Sequence, residues 1–195
     1  GMGASTEATS QGIQTSVKSL GFTYKESIAL QKELASTANE LRISFGKMAD
    51  DFASASKVLA AQGKAAGRIF KELATQAKAS GTEVSDLLAV AQQFDTFEGA
   101  AAAAGKLNAV LGGNLVNSVE LLNASESRRI ELLHDAVAAS GLAWASMNKF
   151  QRITVASAAG ISDMSVAAKV FGTSSAEYAK VASAADAAAM SQEEM

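Results

Sequence analysis

The chain has 195 residues with no proline, no cysteine, one histidine and a formal net charge of −3. Without cysteine there is no disulfide framework, thiolate metal site or thiol nucleophile, and a single histidine cannot build the clusters that most catalytic zinc sites need. The slightly acidic balance argues against a dedicated nucleic-acid binder, which would show a basic face.

Nominally hydrophobic residues make up 48% of the chain, but alanine supplies nearly half of them. Leu, Ile, Val and Phe together reach roughly 22%, near the ~20% level below which chains tend to disorder. The low net charge keeps the chain out of the disordered class. Alanine has the best helix propensity and buries little area, so the expectation is folded helices around a thin core.

Residues 1–21 are rich in Ser, Thr, Gly and Gln and read as a flexible N-terminal arm. They contain no apolar run that would make a secretory signal. Gly1-Met2 resembles a tag scar or an arbitrary fragment start. No stretch reaches the ~20 apolar residues of a membrane span.

Residues 22–80 form a second segment of amphipathic, heptad-patterned helices, the first starting near Thr23. Leu34, Ala38, Leu41, Phe45, Met48, Phe52, Ala55 and Leu59 follow a 4-3-4-3-4-3-4 spacing, which is a heptad seam. Such a seam packs either inside its own domain or against another chain, and this length does not separate a 3.5 from a 3.6 repeat. Leu34, Leu41, Phe45, Met48, Phe52 and Leu59 are therefore the candidate interaction residues. Ser44 offers a cap beside Gly46, so the seam belongs to one helix or to two. A helix over 64–80 follows and stops at Gly81.

Residues 81–172 read as a compact helical module. Ser85-Asp86 offers a cap for the helix through Leu88 and Ala91, and Asp95 or Thr96 for the one that ends at Gly112-Gly113. A short helix from about Val116, one over 126–139 capped by Ser125, one over 147–159 and one after Ser162-Asp163 complete it. Ser85-Asp86 precedes Phe94 as Ser162-Asp163 precedes Phe171; a tandem duplication would make the two helices equivalent. Residues 173–195 read as a C-terminal alanine-rich helix and tail. No segment alternates with period 2 for long. The fold class is all-α, a multi-helix array of about seven to nine helices with one longer heptad-patterned N-terminal helix or helix pair.

Chemistry-bearing residues are sparse. His134 sits on a helix without a partner nucleophile and reads as an ordinary surface or boundary histidine. Arg128-Arg129 with Glu126 and Glu131 reads as a solvated helix start. Adjacent Asp50 and Asp51 diverge by about 100° on a helix and chelate poorly. Asp95-Thr96 with Glu98 lacks the alternating oxygen ligands of a calcium loop. Gly105-Lys106 is followed by Leu107, not by the Ser or Thr of a phosphate loop. Trp144 reads as a buried anchor for the turn after Gly141. No catalytic residue, cofactor, metal or small-molecule substrate is assigned.

The run Phe94-Asp95-Thr96-Phe97-Glu98-Gly99-Ala100-Ala101 leads into Gly105-Lys106-Leu107-Asn108-Ala109-Val110-Leu111-Gly112-Gly113. Asn117-Ser118-Val119-Glu120-Leu121-Leu122 and Arg128-Arg129-Ile130-Glu131-Leu132-Leu133 follow. Met147-Asn148-Lys149-Phe150-Gln151 and Ala158-Ala159-Gly160-Ile161-Ser162-Asp163 close the series. In this order they resemble a helical module of the tail tape measure proteins of tailed bacteriophages, over about 80–172. The resemblance implies a non-enzymatic virion structural protein of the tail, made in the host cytoplasm, that takes part in tail assembly and length determination. Its implied partners are other copies of itself and the tube, baseplate or assembly chaperone. A single helix of this length would reach only about 290 Å at ~1.5 Å per residue, so the chain reads as a folded segment of a longer protein or a cut-down relative. The alternative is a non-viral helical interaction module or adaptor that receives a partner along the seam.

Overall fold

The computed structural model describes residues 3–174, 176–177 and 180–181. All regular structure among them is helical, so the all-α multi-helix array is observed. The chain divides into two compact units, Gly1–Thr75 with Lys180–Met195 and Gln76–Ala179. The C-terminal helix and tail expected over 173–195 lie largely outside the described residues.

The first unit contains α1 (Gly3–Leu20), α2 (Tyr24–Glu40), α3 (Phe45–Leu59), a 3-10 turn (Ala60–Ala65) and the first part of α4 (Ala66–Ser80). α2 begins at a capping box. The Thr23 hydroxyl accepts from the Glu26 amide at 3.2 Å, and the Glu26 carboxylate accepts from the Thr23 amide at 2.7 Å. α2 ends at Leu41, where Arg42 turns into the left-handed region at φ 53°. Ser44 then caps α3 by accepting from the Lys47 amide at 3.2 Å. The heptad pattern is therefore bent at residues 41–44 into two helices that pack on each other. Phe52 meets Phe70 of α4 edge to face, with ring centroids 5.2 Å apart.

The arm expected over 1–21 is helical as α1 and packs on α2, α3 and the 3-10 turn. Its buried positions include Gly12, Ser16 and Leu20, one residue per turn. Two of the three are small, so the face lacks the apolar stripe that marks a helix in sequence. Gly12 faces the side chain of Gln31, and a Cβ there would overlap the Gln31 amide. Gln31 is 4% exposed, and neither Nε2 nor Oε1 finds a hydrogen-bond partner among the described residues. An orphaned buried polar group costs about 1–3 kcal/mol. Gln31→Met keeps the shape and removes both orphans, so stability rises by about 1–2 kcal/mol. Urea unfolding measures it, and a lower midpoint would show that the amide is satisfied.

Glu26 also bonds Lys64 at 2.8 Å. The Lys64 ammonium, helped by the Thr23 amide and hydroxyl, lowers the Glu26 carboxyl from 4.5 to about 2. The sign follows from linkage: the contribution is complete above pH 4.5 and lost as pH falls through about 2. The pair is exposed, so the effect is small. In thermal melts, the advantage of the native chain over Glu26→Gln shrinks across that interval. A constant difference would place the pairing elsewhere.

The second unit contains the rest of α4, then α5 (Val84–Gln92), α6 (Phe97–Leu111), α7 (Ser118–Asn123), α8 (Glu126–Ala139), a 3-10 turn (Trp144–Ser146), α9 (Lys149–Ala158) and α10 (Met164–Gly172). α6 packs against α7 and α9, and α5 against α8. Thr96 caps α6, Asn117 caps α7, Ser125 caps α8, Asn148 caps α9 and Asp163 caps α10. α5 differs from expectation. Glu83 is its cap residue, and Asp86 sits in the first turn, accepting from the Glu83 amide at 3.2 Å. The Ser-Asp echo thus falls at different helix positions in α5 and α10, and the two helices are not equivalent. Gly21, Gly81, Gly112, Gly141 and Gly160 close their helices at φ between 70° and 80°.

Candidate functional site

The six seam residues do not form an outward site. Leu34, Met48, Phe52 and Leu59 are fully buried and Leu41 is 4% exposed, while Phe45 is half-buried at the start of α3. The bend at 41–44 brings the two halves of the seam together, so the pattern serves the core of the first unit. Of the alternatives the sequence leaves open, the structure has a helix pair rather than one helix, and the burial of the seam fits packing within its own unit. A heptad repeat cannot report a turn whose flanking residues keep the spacing.

The other sequence candidates also fall into place. Asp51 pairs with Lys47 at 3.0 Å. His134 is 7% exposed, and its Nε2 bonds the Thr173 carbonyl. Gly105 and Lys106 lie inside α6, not in a loop. Trp144 is 7% exposed and stacks on Phe171 at 5.5 Å, with the Arg152 guanidinium 5.9 Å from its centroid. Among the described residues, no group of three or more His, Cys, Asp or Glu side chains could hold a metal ion. No helix of the described residues is long and apolar enough to cross a membrane.

Arg128 and Arg129 part company. Arg128 is exposed and lies beside Glu131 at 2.9 Å, Asp135 at 3.7 Å and Glu120 at 4.0 Å. The Glu131 hydrogen bond, then the charges of the three carboxylates, raise its guanidinium above the usual value. It borders a shallow depression of about 470 Å³, lined also by Asn117, Val119, Glu120, Asn123 and Ala124. Arg129 is 5% exposed and is not part of a solvated helix start. Its Nε donates to the Leu121 carbonyl at 2.8 Å, and Nη2 to the Leu122 carbonyl at 3.1 Å. Its Nη1 donates to the Ala91 carbonyl at 2.9 Å and to Asp95 at 2.5 Å. One guanidinium therefore closes the end of α5, the turn before α6, and α7. The signal was present in sequence: Arg129 shares a helix row with Leu133 and Val137 on the buried side.

Asn108 plays a similar part at the other end of α6. Its side-chain oxygen accepts from the Leu115 and Val116 amides at 2.8 Å each, and its Nδ2 donates to the Val116 carbonyl at 2.9 Å. The surface carries the remaining feature. Phe97 on α6 is 65% exposed, and Phe150 and Ile153 on α9 are 73% and 46% exposed. Large apolar side chains left in water are candidate contact points for a partner.

Compared with known proteins, the chain matches no family model, no curated protein and no solved structure.

Proposed function

We propose that this chain is a non-enzymatic structural module of a bacteriophage tail tape measure protein, acting in tail assembly and length determination from within the virion tail. The observation that carries the reading is a coincidence of boundaries. The motif series resembling that family covers about 80–172, and the second compact unit begins at Gln76. The motif residues are also the ones that tie this unit together: Asp95 with Arg129, Asn108 with the 114–116 loop, and Asn148 with Gln151. Motifs spent on caps and ties suit a module selected for its shape. The adaptor alternative loses its motive, because the seam meant to receive a partner is interior to the first unit.

The test is an in-frame deletion of codons 81–172 from the parent gene, with tails measured by electron microscopy. Shortened or missing tails are expected. Infectious particles with tails of native length would overturn the reading.

A further inference from the structure

The outward side of α6 is exposed and carries a regular pattern of residues. Its inner row, Ala100, Ala103, Ala104, Leu107 and Leu111, is buried. Its outer surface carries two parallel rows. The first is Phe97, Ala101, Gly105 and Ala109; the second is Glu98, Ala102 and Lys106. Phe97 is 65% exposed, and a Cβ on Gly105 would meet no atom within 4 Å. Neither Glu98 nor Lys106 makes a hydrogen bond or ion pair among the described residues.

Both rows are self-complementary when read in opposite directions. Pairing α6 antiparallel with a copy, about a two-fold axis near Ala102, sets Glu98 against the partner's Lys106 and Lys106 against the partner's Glu98. Ala102 then meets the partner's Ala102. In the other row Phe97 lies over the partner's Ala109, and Ala101 over the partner's Gly105. The two rows have centres at residues 102 and 103, about 1.5 Å apart along the axis. A modest crossing angle absorbs that offset. Large meets small, acid meets base, and small residues at the centre let the backbones approach. An isologous interface demands this symmetry of one surface, whereas an unrelated partner does not.

From this we infer that the second unit forms a two-fold antiparallel homodimer through the outer face of α6. The patch is one helix long and falls below the ~800 Å² per partner of a standard interface. Association is therefore weak, half complete at about 100 μM. The dimer is a state of the free chain and stands independently of the tail assignment.

Sedimentation equilibrium of the full chain across that concentration range tests it. The native chain should rise from 19.9 kDa toward twice that mass. Ala102→Arg puts like charges on the axis and should hold the chain at monomer mass with an unchanged thermal melt. Glu98→Lys should weaken association at least tenfold, and the double variant Glu98→Lys with Lys106→Glu should restore it. A native chain that stays monomeric throughout overturns the inference. Association that survives Ala102→Arg overturns the face, and a double variant that fails to recover overturns the register.

Discussion

Arg129→Met lowers the stability of the second unit by about 3 kcal/mol. The side chain is 6% exposed and makes four hydrogen bonds of 2.5 to 3.1 Å. Methionine fills most of the volume but leaves the Leu121 and Leu122 carbonyls without the donor they have in Arg129, while the Ala91 carbonyl keeps the Phe94 amide at 3.2 Å. Asp95 is 52% exposed and keeps its charge in water, so its loss adds little. The Arg129→Lys variant separates charge from geometry. An ammonium is a point donor and cannot reach three helix ends at once, so it recovers less than half of the loss. Guanidinium chloride unfolding followed by circular dichroism reads both variants. A loss below about 1 kcal/mol for Arg129→Met would show that water replaces the guanidinium without cost.

Phe52→Ala costs the first unit about 4 kcal/mol, within the usual range for removing a buried phenylalanine. The ring is fully buried and loses its edge-to-face partner Phe70. Phe52→Asp is harsher, because an unpaired carboxylate would enter the core. The sign of the outcome distinguishes the two readings of the seam. If the seam is core, both variants melt early. Had it been an interface, oligomer mass would change while the melting curve of the monomer stayed in place.

The fold class was legible because alanine, glycine stops and Ser, Thr, Asp or Asn caps act locally. Thr96, Ser125 and Asp163 cap the helices that the sequence assigns to them. What escaped was set by tertiary contact. α1 reads as a flexible arm because Gly12 and Ser16 bury almost no apolar area, and only packing on α2 and α3 makes its small face useful. Arg129 reads as surface because its neighbour Arg128 is surface. Nothing local shows that three carbonyls from other segments converge on it. Ser85-Asp86 reads as the cap because a glutamate is a poor cap by propensity, yet the pairing of Glu83 with Asp86 begins the helix three residues earlier than an Asp86 cap would. The seam was seen correctly as apolar, but its use depended on the four residues at 41–44 that fold it on itself.

The helix stops at Gly21, Gly81, Gly112, Gly141 and Gly160 reverse the chain by rotation about ordinary trans peptide bonds. Chains that turn at proline wait on isomerisation, which takes tens of seconds at room temperature. With no proline in its 195 residues, this protein has no such clock. Recovery of these turns from unfolding then involves no slow prolyl step.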